Sequence, residues 1–156
     1  MTEIGSAAPD LTLPDQYGRP TSLAELRHGR AVLVVFFPFA FSRICTGELA
    51  AIQRDLERFD NDRVTTVGVS CDPVYSLKAW AQAEGLEMPL LSDFWAHGEV
   101  ARSYGVLDER AGMPVRGTFL IDEHGVVRWT LVNPPGEARD FTGFHRALDA
   151  LPAGAD

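Results

Sequence analysis

The chain has 156 residues, enough for one domain with a buried core that needs no metal or disulfide to hold it. Its composition, 46% hydrophobic and 23% charged, is that of an ordinary globule, and its net charge of −8 argues against nucleic acid or an anionic membrane surface as a partner. Two cysteines, Cys45 and Cys71, are too few for a disulfide framework, and the absence of a Cys-x-x-Cys removes a zinc knuckle or a thioredoxin-type pair. The opening "MTEIGSAAPD" has neither the basic start nor the apolar stretch of a signal peptide, and no run of about 18 apolar residues occurs. The expectation is a cytoplasmic protein, one domain over residues 1–156.

In chain order, "LTLPDQYGRPTSL" holds two short apolar pieces around Tyr17-Gly18 and predicts a hairpin. "AVLVVFF", residues 31–37, is continuously apolar and β-branched, as a strand buried on both faces should be. Residues 43–60 read as one helix. "VTTVGVS" is a second buried strand. Asp72 and Pro73 read as an N-cap and first helical position, opening a helix that Gly85 ends. "MPLLSD" predicts a short strand and "HGEVARSYGV" a short helix. "GTFLID" and "VVRWTLV" flank a turn at Glu123-His124-Gly125. "FTGFHRALDAL" predicts a final helix with Phe141, Phe144, Leu148 and Leu151 on one face. This β-α-β-α-β-α-β-β-α order implies parallel strands joined by helical crossovers, then antiparallel strands: an α/β fold with a central mixed sheet flanked by helices.

Cys45 stands where the first buried strand hands over to a helix. With Ser42 at the N-cap, Cys45 is the third helical position, among free backbone amides and the positive end of the helix dipole. Cysteines so placed tend to lowered thiol pKa and raised reactivity. Yet Cys45, Leu49, Ile52, Leu56 and Phe59 follow one another at helical spacing, so a plain core cysteine fits the position as well. Pro38 and Ser42 have no evident core role, and Arg116 begins the strand "RGTFLID" where an apolar residue would be expected. A buried arginine there needs an anion to meet.

These residues bring a resemblance into view. "PFAFSRIC" is similar to the peroxiredoxin signature of proline, three residues, threonine or serine, two residues and cysteine, and "RGTFLID" to the strand carrying that family's active-site arginine. The resemblance runs from "GSAAPDLTLPDQYGRPTSL" to the final helix. Within the family, "FFPFAFSRICTGEL", "PLLSDFWAHGEVARSYGV" and "PPGEARD" look like the actinobacterial alkyl hydroperoxide reductase E branch.

The resemblance implies a thioredoxin-like fold and a thiol peroxidase acting on hydrogen peroxide, organic hydroperoxides or peroxynitrite, with no cofactor and no metal. Cys45 would be the peroxidatic cysteine. Ser42, in place of the usual threonine, would bond the peroxide and the sulfur. Pro38 would shield the site from water. Arg116 would favour the thiolate and polarise the peroxide, the amides of Ile44 and Cys45 would add donors, and Glu48 would orient Arg116. No cysteine stands at the family's usual resolving positions, so a one-cysteine cycle is expected. Its sulfenic acid would be taken by a mycothiol-like low-molecular-weight thiol and cleared by a glutaredoxin- or mycoredoxin-like partner. Cys71 reads as a small buried residue at a strand end; its use as a resolving cysteine is the alternative, as is a redox sensor oxidised at Cys45 or recruitment to other oxidative chemistry. By resemblance a homodimer or higher homo-oligomer is expected, joined through loops such as "DFWAHG". Histidines 28, 97, 124 and 145 share no ligand spacing and read as solvated or structural. Trp80, Trp95 and Trp129 read as core or interface.

Overall fold

A computed structural model describes residues 2–151. The predicted hairpin is present as β1 (Thr12–Pro14) antiparallel to β2 (Pro20–Ser22). Asp15 holds its turn, its Oδ1 accepting from the amides of Tyr17 and Arg19. A single helical turn follows, α1 (Leu23–Leu26), capped by the Ser22 hydroxyl. Next come β3 (Ala31–Phe36), α2 (Arg43–Arg54), α3 (Leu56–Phe59), β4 (Val64–Ser70), α4 (Val74–Glu84), β5 (Leu90–Ser92) and α5 (Glu99–Ser103). A small hairpin of β6 (Leu107–Asp108) and β7 (Met113–Pro114) leads into β8 (Arg116–Ile121), β9 (Val127–Asn133) and α6 (Thr142–Asp149).

The main sheet has the strand order β5-β4-β3-β8-β9. β3, β4 and β5 run parallel, while β8 is antiparallel to β3 and β9 to β8, the mixed sheet that the element order implies. β3, β4 and β8 are buried at every position, which is why their sequences show no apolar–polar alternation. Alternate side chains enter two cores. On one face Leu33, Val35 and Leu120 pack with Leu49, Ile52, Leu77, Trp80 and Phe144 of α2, α4 and α6. On the other, Val34, Phe36, Val69, Phe119 and Ile121 pack with Leu13, Leu23, Ala101 and Tyr104. Among the described residues no helix is long and apolar enough to cross a membrane.

Two boundaries differ from the sequence reading. The helix expected over 43–60 is broken at Asp55, whose amide bonds to Ile52 O, three residues back. Aspartate is a poor interior residue that favours helix ends, and the break still leaves Ile52 and Phe59 in the same core. The second concerns Asp72. It is not the N-cap of α4; Pro73 is, and the helix starts at Val74. The Asp72 carboxylate is instead taken up by the Ala40 amide and the Ser70 hydroxyl. Gly85 ends α4 in the left-handed region, φ 66°, as expected of a C-cap glycine.

Candidate active site

β3 ends at Phe36, and the chain turns through Pro38 and Phe39 to Ser42, which sits at the N-cap of α2 with extended backbone. Cys45 is therefore the third helical position. It is fully buried beside Leu49 and Ile52, so the helix-start placement and the apolar stripe both hold. Thr46 reaches back to Ser42 O at 2.9 Å, whereas the amides of Ile44 and Cys45, ahead of it, have no acceptor among the described residues.

β8 brings Arg116 to the same end of the sheet. Thr118 pairs with Val35, which puts Arg116 two residues further along, against the chain leaving β3. Its Nη1 lies 3.3 Å from Cys45 Sγ and also donates to Glu48 Oε1, and its Nε donates to Pro135 O at 2.8 Å. Glu48 is buried on α2, one turn after Cys45, and pairs with Arg116, the contact that the resemblance implies. Ser42 departs from expectation: its buried Oγ makes no hydrogen bond among the described residues, so the sulfur is held by Arg116 and not by this hydroxyl. Pro38 is buried and lines the mouth of the site together with Phe39, Ser42, Ile44, Met113 and Arg116.

One charged residue escaped the sequence reading. Arg139, from the loop between β9 and α6, is buried and donates through Nε to Glu48 Oε2 at 2.9 Å. It also reaches Thr118 Oγ1 at 2.7 Å and Phe36 O. Burial pulls its guanidinium below the ordinary arginine range, and Glu48 pulls it back up. An arginine in a loop rich in proline and glycine reads as solvated. The available signal was Glu48, an acid on a buried helical stripe. With two buried guanidiniums and one carboxylate, the cluster carries one uncompensated positive charge while the sulfur is a thiol. A thiolate at Cys45 brings it to neutrality.

Cys71 follows β4 and is buried. Its thiol is pushed up to about 12, first by burial and then by the carboxylates of Asp93 and Asp72. His97 Nε2 lies 2.7 Å from Gly112 O, a structural contact. Trp80 is in the core and gives its indole N–H to Thr46 Oγ1 at 3.2 Å, and Trp129 is half-buried. Trp95, by contrast, is 84% exposed and takes no part in the core.

The model of the AhpC/TSA family matches residues 4–130, most of the chain. The chain belongs to that family, the peroxiredoxins. Among curated relatives, alkyl hydroperoxide reductase E of Mycobacterium tuberculosis is 44% identical over 153 residues, covering 98% of this chain and 100% of that one. Among solved structures, peroxidoxin BcpB of Mycobacterium tuberculosis superposes with a TM-score of 0.86 at 31% identity, covering 98% of this chain and 100% of that one. AhpC of Enterococcus faecalis gives a TM-score of 0.86 at 29% identity over 96% of this chain and 92% of that one. As a peroxiredoxin the protein is a thiol peroxidase, an oxidoreductase with a thioredoxin-like fold.

Proposed function

We propose that the peroxidase reaction runs through Cys45 in a one-cysteine cycle. The Cys45 thiolate attacks one oxygen of hydrogen peroxide, an organic hydroperoxide or peroxynitrite. The O–O bond breaks, the far oxygen leaves in water, an alcohol or nitrite, and Cys45 becomes a sulfenic acid. The observation that carries this reading is the Arg116 guanidinium 3.3 Å from Cys45 Sγ. A cation there faces the sulfur before reaction and the developing oxyanion during it. The open amides of Ile44 and Cys45 and the unpartnered Ser42 hydroxyl are the remaining donors for a bound peroxide. Pro38 keeps water off the sulfur, and Glu48 fixes Arg116. Phe39, Ile44 and Met113 at the mouth suit the carbon chain of an organic hydroperoxide.

Cys71 is a poor resolving cysteine, since a buried thiol between two carboxylates is held protonated. The sulfenic acid is then attacked by an external thiol, releasing water and leaving a mixed disulfide. A mycothiol-like small thiol with a glutaredoxin- or mycoredoxin-like partner suits this step, by the resemblance of the chain. The compartment that suits two free cysteines is the reducing cytoplasm. The functional unit is a homodimer formed through the exposed aromatics Tyr17, Tyr75, Phe94 and Trp95.

The test is peroxide consumption with a small-thiol reductant, alongside intact-mass analysis after stoichiometric peroxide. Cys45→Ser abolishes turnover, Cys71→Ser leaves it unchanged, and the wild type gains one oxygen as a sulfenic acid, whose sulfur dimedone captures with loss of water. A dominant Cys45–Cys71 bridge in a non-reducing peptide map would overturn the one-cysteine cycle.

A further inference from the structure

Among the described residues Phe41 is the one non-glycine residue with a positive φ, 70°. That left-handed conformation is disfavoured for a bulky L-residue and persists only where its surroundings impose it. Phe41 lies in the turn between Pro38 and Ser42, immediately before the helix that carries Cys45. Its side chain is largely exposed, with the Trp80 ring at a centroid distance of 6.5 Å, so packing alone holds it weakly. The firm hold is one residue earlier. The Ala40 amide donates to Asp72 Oδ2 at 2.8 Å, a charge-assisted bond across 32 residues of sequence. The same oxygen accepts from Ser70 Oγ at 2.7 Å, and the Asp72 carbonyl accepts from Ser92 Oγ at 2.6 Å. Ser70 and Ser92 are register partners at the ends of β4 and β5. Asp72 is thereby fixed to two strands of the main sheet and reaches from them to the active-site loop.

We propose that Asp72 is a positioning residue for the peroxide reaction. Its carboxylate holds Ala40, and through Ala40 the strained Phe41, so that Pro38, the Ser42 hydroxyl and the open amides of α2 face the incoming peroxide. This rests on the reading of Cys45 as the peroxide nucleophile. Asp72 touches neither the sulfur nor Arg116; it acts on the donors that bind peroxide and not on the nucleophile.

The experiment measures two rate constants of Cys45 in the full chain, one with peroxide by stopped flow and one with iodoacetamide, which needs the sulfur but not the peroxide donors. Asp72→Ala slows the peroxide reaction roughly 10- to 100-fold, the scale of a misplacement near a reacting centre, without slowing alkylation. Asp72→Asn, which keeps an acceptor oxygen, restores most of the peroxide rate. Phe41→Gly, free of the left-handed penalty, restores it in the Asp72→Ala background. A near-native peroxide rate in Asp72→Ala overturns the proposal. So does a parallel fall in both rates, or the absence of rescue by both second variants. Peroxide consumption persisting in Cys45→Ser would instead refute the reading of Cys45 itself.

Discussion

Three side chains decide the chemistry of the buried cluster, and they are not interchangeable. Arg116 gives its Nε to a carbonyl and its Nη1 to both a sulfur and a carboxylate, a division that only a planar fork allows. Arg116→Lys keeps the charge and loses that geometry. The peroxide rate constant of Cys45 should then fall by the order of 10²-fold, the scale of one lost oxyanion donor, with stopped-flow kinetics as the check. Glu48 stands between two guanidiniums, bonding Arg116 through Oε1 and Arg139 through Oε2. Glu48→Gln leaves two buried cations with no anion between them. Urea unfolding should show a loss of about 3–5 kcal/mol, as when one partner of a buried ion pair is removed. Cys45 and Arg116 were legible because each breaks a local pattern, a thiol at a helix start and an arginine opening a buried strand; Pro38 and Ser42 stood out for want of a core role, and Glu48 entered through the family resemblance alone. Arg139 breaks no such pattern. It stands in a loop with no period, and its place over Glu48 follows from a tertiary return of the chain that no short window of sequence encodes.

At the scale of elements, the sequence marks strands by burial and turns by their chemistry, and it is weakest where tertiary bonds compete with local ones. β3, β4 and β8 were legible because continuous apolar, β-branched runs have few other uses. The cap of α4 was misplaced because Asp72, a good N-cap residue by type, is claimed by Ala40 from another segment. α1, β6 and β7 are too short for periodicity to mark. The turn between β8 and β9 shows a local signal and a measurable consequence together. Asp122 Oδ1 accepts from the amides of His124 and Val126 at 2.9 and 3.0 Å, and Oδ2 from Arg128 Nε at 2.7 Å. Burial pushes this carboxyl up, but those donors outweigh it and hold it below the ordinary aspartate range. A carboxyl depressed in the folded state stabilises above its unfolded value, near 4, and that contribution is lost as pH falls through the folded value. Asp122→Asn should therefore lower stability at neutral pH, and the gap to wild type should narrow as pH falls below about 4. Chemical denaturation across that range is the measurement. A gap that stays constant with pH would mean that the Asp122 charge contributes nothing.

At the scale of the whole molecule, the question is what covers the aromatic surface. Tyr75 and Trp95 are 85% and 84% exposed, the most exposed of the large hydrophobic side chains among the described residues. They are not scattered. Pro14, Pro73, Val74, Tyr75, Phe94 and Trp95 line one shallow groove, and Tyr17, Val74 and Tyr75 line its neighbour. Contiguous exposed aromatics of this kind mark association surfaces, with tyrosine and tryptophan the residues that carry most binding energy. The first groove lies where β1 meets α4 and the loop after β5, at the Ser92 that braces Asp72, and the second lies where the β1–β2 turn meets α4. Covering this face would also steady the bracket that reaches the active-site loop. If a second copy seats there, Trp95→Glu places a charge at the centre of the contact and must desolvate it. Sedimentation equilibrium should give twice the chain mass for the wild type and the single-chain mass for Trp95→Glu, with circular dichroism showing the fold unchanged. Retention of the dimer by both Trp95→Glu and Tyr75→Glu would move the interface elsewhere on the molecule.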